Sequence, residues 1–151
     1  MPRRLLAVPL LLLLAPACAV HAPRNTVLSH YGSRVRLTLP ASWPADAVVT
    51  SARRGAAAGH PGAEYTLEVD YRPLEAGLPR VPLLQLVVFP ADRQPTGPGE
   101  VLVEAASRIY VLVLPRDRPY PAGTRDADRL DSMRPTLHDI RKGLVITQGE
   151  D

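Results

Sequence analysis

The sequence predicts an α+β protein, an antiparallel sheet of about five to six strands covered on one face by a C-terminal helix. Three observations carry this expectation. Residues 81–89 (VPLLQLVVF) and 108–114 (RIYVLVL) are apolar runs rich in β-branched and aromatic side chains, each stopped by a proline, Pro90 and Pro115. Runs of this length between proline-rich stretches read as buried strands. Two further segments alternate with period two. Val35, Leu37 and Leu39 are interleaved with Arg34, Arg36 and Thr38, and Tyr65, Leu67, Val69 and Tyr71 with Thr66, Glu68 and Asp70. That is the pattern of strands with one wet face. Finally, Ala127, Leu130, Met133, Leu137 and Ile140 mark one stripe of an amphipathic helix.

The chain opens with a leader-like stretch. Arg3 and Arg4 precede an apolar segment that contains five consecutive leucines, and Ala15, Ala17 and Ala19 follow. A basic start, an apolar centre and small residues at the end are the layout of a secretory signal peptide, placed at residues 1–19. Pro9 and Pro16 leave the apolar stretch short and broken for a membrane-spanning helix. Cys18 is open to three readings. The string L-A-P-A-C resembles a bacterial lipobox, which makes Cys18 the candidate lipidation site, although Pro16 and Leu14 depart from the pattern. Ordinary cleavage after Ala17 or Ala19 gives an unmodified chain, and the third reading is an incidental leader residue. Residues 20–30 then read as a tether and 31–151 as a single α+β domain.

Composition narrows the function classes. A hydrophobic share of 46% argues against disorder. The 17 prolines work against long unbroken helices. Without Arg3 and Arg4 the chain carries 16 basic against 15 acidic residues, alternating in sign, so no basic stripe points to nucleic acid. Lys142 is the one lysine, and the arginine, alanine and proline bias fits a GC-rich bacterial genome. Cys18 is the only cysteine, so an intramolecular disulfide is excluded and packing must hold the fold.

Taken in order, residues 34–39 form the first strand, ended by Pro40, with a turn over A-S-W-P-A-D. Trp43, the only tryptophan, reads as a stacking platform for a ligand or as a core plug at the strand exit. Residues 47–51 suggest a short strand. Residues 53–62 form a glycine-containing loop that neither follows a strand nor opens a helix, so it is no phosphate cradle. His60 there reads as a ligand or acid–base group, or as a solvent-exposed loop histidine. The acidic face of Tyr65–Tyr71 suits pairing with Arg34 and Arg36 across strands. After a loop over 72–80 comes the central apolar strand, with Pro82 placing its start at an edge or outside the ladder. Residues 91–99 form a loop. Residues 100–105 pair with 108–114 as a hairpin closed near Ala106 and Ser107.

A second proline-rich loop, 115–123, leads to Thr124, a helix N-cap by residue type. Pro135 either kinks the following helix or opens a second one in its first turn. Arg141 and Lys142 suit a helix C-terminus and Gly143 its cap, with residues 144–147 as a final short strand or tail. Asp126, Asp128 and Asp131 lack the glycine and terminal glutamate of a calcium loop and read instead as acidic residues meeting a helix dipole. His138 reads as a helix surface or boundary residue.

The order of these elements, with Leu37 to Pro40 and Trp43, then Leu84 to Phe89, Ile109 to Pro115 and the Leu130 to Ile140 stripe, resembles small exported bacterial proteins that share an L-P-x-S-W element and a closing helix. More loosely it is similar to the PsbP/Mog1-like architecture. The resemblance implies an α+β sandwich of sheet and helix and implies no catalytic residue.

The sequence points to a non-enzymatic exported cell-envelope protein, a binding or accessory module that is periplasmic or extracellular, with membrane contact only through a lipid anchor. The implied partner is an envelope protein or other envelope component, and no cofactor, metal or nucleic acid is implied. The proline-rich loops around Pro95 and Pro119 are candidate contact surfaces, and Trp43, His60 and Tyr120 the candidate ligand or partner contacts. The alternative is a small exported hydrolase that assembles Ser42, His60 or His138 with Asp117, unsupported by any G-x-S-x-G, H-E-x-x-H or C-x-x-C motif.

Overall fold

Eight strands and two short helices arise from these patterns in the computed structural model, which describes residues 25–30, 33–55, 59–105 and 107–147. The expected signal peptide at residues 1–19, with Cys18, and residues 20–24 of the expected tether lie outside the described residues. The strands are β1 (Asn25–His30), β2 (Ser33–Thr38), β3 (Val48–Arg54), β4 (Tyr65–Tyr71), β5 (Val81–Pro90), β6 (Glu100–Ala105), β7 (Arg108–Val113) and β8 (Leu144–Thr147). Helices α1 (Arg125–Ser132) and α2 (Leu137–Gly143) lie between β7 and β8.

The fold is α+β, with a five-stranded antiparallel sheet in the order β3-β4-β5-β7-β6 and a separate three-stranded sheet in the order β1-β2-β8. The single sheet expected from the sequence is therefore two. The second sheet forms because residues 25–30, read as part of a tether, pair along the whole of β2. On its other side β2 takes up β8.

The central strands are apolar on both faces because both faces are covered. On one face, Val35 of β2 with Leu144 and Ile146 of β8 meets Tyr65, Leu67, Leu86, Val88 and Tyr110. Further along that face, Leu37 and Ile140 of α2 meet Val69, Leu84 and Leu112. Leu130 and Met133 of α1 pack with Tyr71, Val81 and Leu83. Side chains of the small sheet and of both short helices thus pack against this side. Each of these buried large apolar side chains contributes about 1.5–3 kcal/mol. On the opposite face, Val87, Phe89, Ile109 and Val111 pack with Ala63.

Local chemistry explains the breaks. At Asp70 the β4–β5 register shifts, and Pro82, which cannot donate to the ladder, sits at that irregularity. The β6–β7 hairpin closes through Ser107, whose φ of 57° is the left-handed conformation a tight turn demands. Pro135 does not kink one long helix. It precedes a new N-cap, Thr136, whose side chain accepts from the Asp139 amide at 3.2 Å while the Asp139 carboxylate accepts from the Thr136 amide at 3.1 Å.

One loop boundary and one expected pairing changed. Arg53 and Arg54, read as loop, continue β3. The acidic face of β4 meets β3, its neighbour in the larger sheet, so Glu68 pairs with Arg53 and accepts from Gln85 Nε2 at 2.8 Å; β2, with Arg34 and Arg36, belongs to the other sheet. Beside this pair, Asp70 buries one carboxylate oxygen without a hydrogen-bond partner. Burial, and then the charge of Glu68, hold its carboxyl above the usual range, against Arg53 and Arg80.

Candidate binding cleft

The proline-rich segment 115–123 leaves the large sheet after β7 and returns to the fold at Thr124, the N-cap of α1. Thr124 Oγ1 accepts from the Ala127 amide at 3.2 Å and donates to the Pro121 carbonyl at 2.8 Å, joining loop and helix through one side chain. Arg134, between the helices, fastens the other end of the loop. It donates to the Pro115 carbonyl at 2.9 Å and to the Asp117 carbonyl, and pairs with Asp131 at 3.2 Å. A segment without regular structure is thus held at both ends.

Between this loop and α1 lies a cleft of about 280 Å³ lined by Arg118, Tyr120, Ala122, Ala127, Leu130 and Asp131. Leu130 and Tyr120 supply apolar lining, and the two alanines leave the space open. Arg118 and Asp131 carry opposite charges 3.5 Å apart. Such an exposed pair contributes little to stability, about 0–1 kcal/mol, and is readily exchanged for a ligand's own charges. The volume suits one apolar side chain or small ring flanked by polar groups.

Tyr120 is fixed from behind. It is 6% exposed, its hydroxyl donates to the Pro79 carbonyl at 2.5 Å, and its ring meets Tyr71 edge-on with centroids 6.0 Å apart. Tyr71 in turn donates to Asp126 Oδ1 at 2.5 Å. The same carboxylate accepts from the Leu74 amide at 2.7 Å and the Glu75 amide at 3.2 Å. Burial alone would raise the Asp126 carboxyl, but the Tyr71 hydrogen bond, the two amides and the Arg129 charge outweigh it and hold the group below the usual range. Burial and Asp126 push the Tyr71 phenol well above its ordinary value, so it remains a donor. Asp126 therefore ties β4, the 72–80 loop and α1 together behind the cleft. Reading it as a helix-dipole residue missed this role, since its partners lie more than fifty positions away.

Of the other residues singled out by sequence, Trp43 is half-buried and packs against two core clusters, with its amide closing the L-P-x-S-W turn on the Pro40 carbonyl at 3.0 Å. His60 is not a solvent-exposed loop histidine. It is 1% exposed, with Nδ1 3.1 Å from the Thr96 carbonyl and its ring edge-on to Phe89. The loop folds back this closely because Gly97 has no side chain: a Cβ there would sit 2.0 Å from the Gly59 carbonyl. The structure thus does not bring Trp43 or His60 to the cleft, where Tyr120 lies. Asp128 and His138 are exposed helix residues. Among the described residues no group of three or more His, Cys, Asp or Glu is arranged to hold a metal ion, and no helix is long and apolar enough to cross a membrane. Compared with protein-family models, curated proteins and solved structures, the chain matches none.

Proposed function

We propose that the chain is a non-enzymatic exported cell-envelope protein, a binding module that takes an apolar group of an envelope partner into the cleft beside Tyr120. The observation that carries this reading is the pre-formed cleft: a proline-rich loop pinned by Arg134 and Thr124, apolar lining, and an exchangeable Arg118–Asp131 pair. Pre-organisation lowers the ordering cost of binding. The leader-like residues 1–19 motivate export, with Cys18 as the candidate point of lipid attachment. The likeness to small exported proteins with an L-P-x-S-W element belongs to the same reading. A binding role also fits the state of the groups that a hydrolase would recruit: His60 is committed to Thr96 under a loop, and Ser42 and His138 are exposed on a turn and a helix.

A photo-crosslinking residue at the exposed Ala122 tests the cleft in living cells. The expected result is a discrete adduct with an envelope component, absent when the same residue replaces Ser51 on β3. Identical adduct patterns at Ala122 and Ser51, or none at either, would contradict the reading.

A further inference from the structure

Among the described strands, β6 ends one side of the large sheet and β8 one side of the small sheet. Leu102 and Ala105 of β6 and Leu144 and Ile146 of β8 pack against the core layer between the two sheets. The same four residues, with Val103 and Arg141, line a groove of about 260 Å³. Its floor is therefore that core layer. Tyr110 belongs to the layer and stands on β7, opposite Val103 of β6. It is 0% exposed, yet its hydroxyl has no hydrogen-bond partner. Folded chains pair nearly all such groups, because a buried hydroxyl left unpaired is destabilising. Packing alone would be served by phenylalanine.

Arg141 is the one charged residue of the lining, and it already takes a carboxylate: its guanidinium donates to Glu100 Oε1 at 2.8 Å. Both side chains of this pair are about half exposed, so the pair is weak and readily exchanged. We infer that the groove binds an aliphatic carboxylate, a medium-chain fatty acid. Its head lies between Arg141 and the Tyr110 hydroxyl, and its chain runs along Leu102, Ala105, Leu144 and Ile146. The ligand carboxylate displaces Glu100 from Arg141 and supplies the acceptor that Tyr110 lacks. The hydroxyl is sealed from water in the free chain, so the head reaches it by parting the side chains above it. The groove is somewhat smaller than the about 300–1,000 Å³ of sites for drug-sized ligands, which favours a single chain over a two-chain lipid. It shares no lining residue with the cleft beside Tyr120, and occupation of one does not require the other.

Isothermal titration calorimetry of the chain as recovered from its host, with decanoate, octanoate and decanol, tests the site. Decanoate is expected to bind one to one. Octanoate, shorter by two methylenes, binds about tenfold more weakly. Decanol binds about tenfold more weakly than decanoate, because its neutral head leaves Arg141 with Glu100. Arg141→Gln, a change at an exposed side chain, weakens decanoate binding by about tenfold. Tyr110→Phe weakens it by about fivefold, while the thermal transition of the free protein stays in place or rises, since only an unpaired hydroxyl is lost. A tyrosine that serves the fold alone would change melting and leave decanoate binding untouched. No binding of decanoate, equal binding of decanol, or decanoate binding indifferent to Arg141→Gln or to Tyr110→Phe would overturn the inference.

Discussion

Asp126→Ala lowers the stability of the domain by about 3 kcal/mol at neutral pH, through the loss of one buried acceptor that serves three donors. The buried Tyr71 hydroxyl loses its charged acceptor, and the Leu74 and Glu75 amides lose the acceptor that fixes the 72–80 loop. A loss of this size lowers the melting temperature of a domain of roughly this length by about 10–15 °C. The effect depends on pH, and its sign follows from the depressed carboxyl. The folded chain holds this proton less tightly than the unfolded chain, so the stabilisation is complete above the ordinary aspartate range and is lost as pH falls through the folded value. Thermal melts of both proteins from neutral to acid pH should therefore converge. A constant gap would mean that Asp126 acts through packing. Asp70 works in the opposite sense, since its raised carboxyl makes the folded chain gain stability on mild acidification.

Gly143→Ala destabilises by about 2 kcal/mol, the cost of forcing an extra methyl into a filled site. The direction is informative because intrinsic propensity predicts a gain: glycine within a helix is about 1 kcal/mol worse than alanine. Gly143 is the last residue of α2, and a Cβ there would stand 2.4 Å from the Thr38 carbonyl at the end of β2. That oxygen is backbone and cannot rotate aside. Denaturant titration reads the change as a lower midpoint, and a higher midpoint would show that α2 does not lie against β2 as described.

The same glycine shows where sequence reasoning stopped. Its type and position after Arg141 and Lys142 indicated a helix cap, but Gly143 is the last residue of α2 and the cap is Leu144. What needs a glycine there is a close contact with a strand more than a hundred residues earlier, and no local pattern records such a contact. Strands β2, β4, β5, β6 and β7 were legible because their apolar residues alternate or run together between prolines. β1 was missed because N-T-V-L-S-H has no clear alternation and gains its order from pairing with β2. The division into two sheets was invisible for a related reason. The arginines of β2 and the acids of β4 look complementary, yet the register of β4 with β3 gives Glu68 to Arg53. At the candidate site, Tyr120 could be named from its loop. The fixing of its surroundings by Asp126 and Arg134 depends on contacts between distant segments.

Export is the claim on which the envelope role depends, and intact mass spectrometry tests it most directly. The chain is expressed with its own leader in a bacterial host, and the membrane and soluble envelope fractions are weighed. The account predicts removal of the leader, leaving either a diacylglycerol-bearing Cys18 in the membrane fraction, abolished by Cys18→Ala, or an unmodified chain beginning near Val20. A chain that still begins at Met1 and stays in the cytoplasm would contradict it.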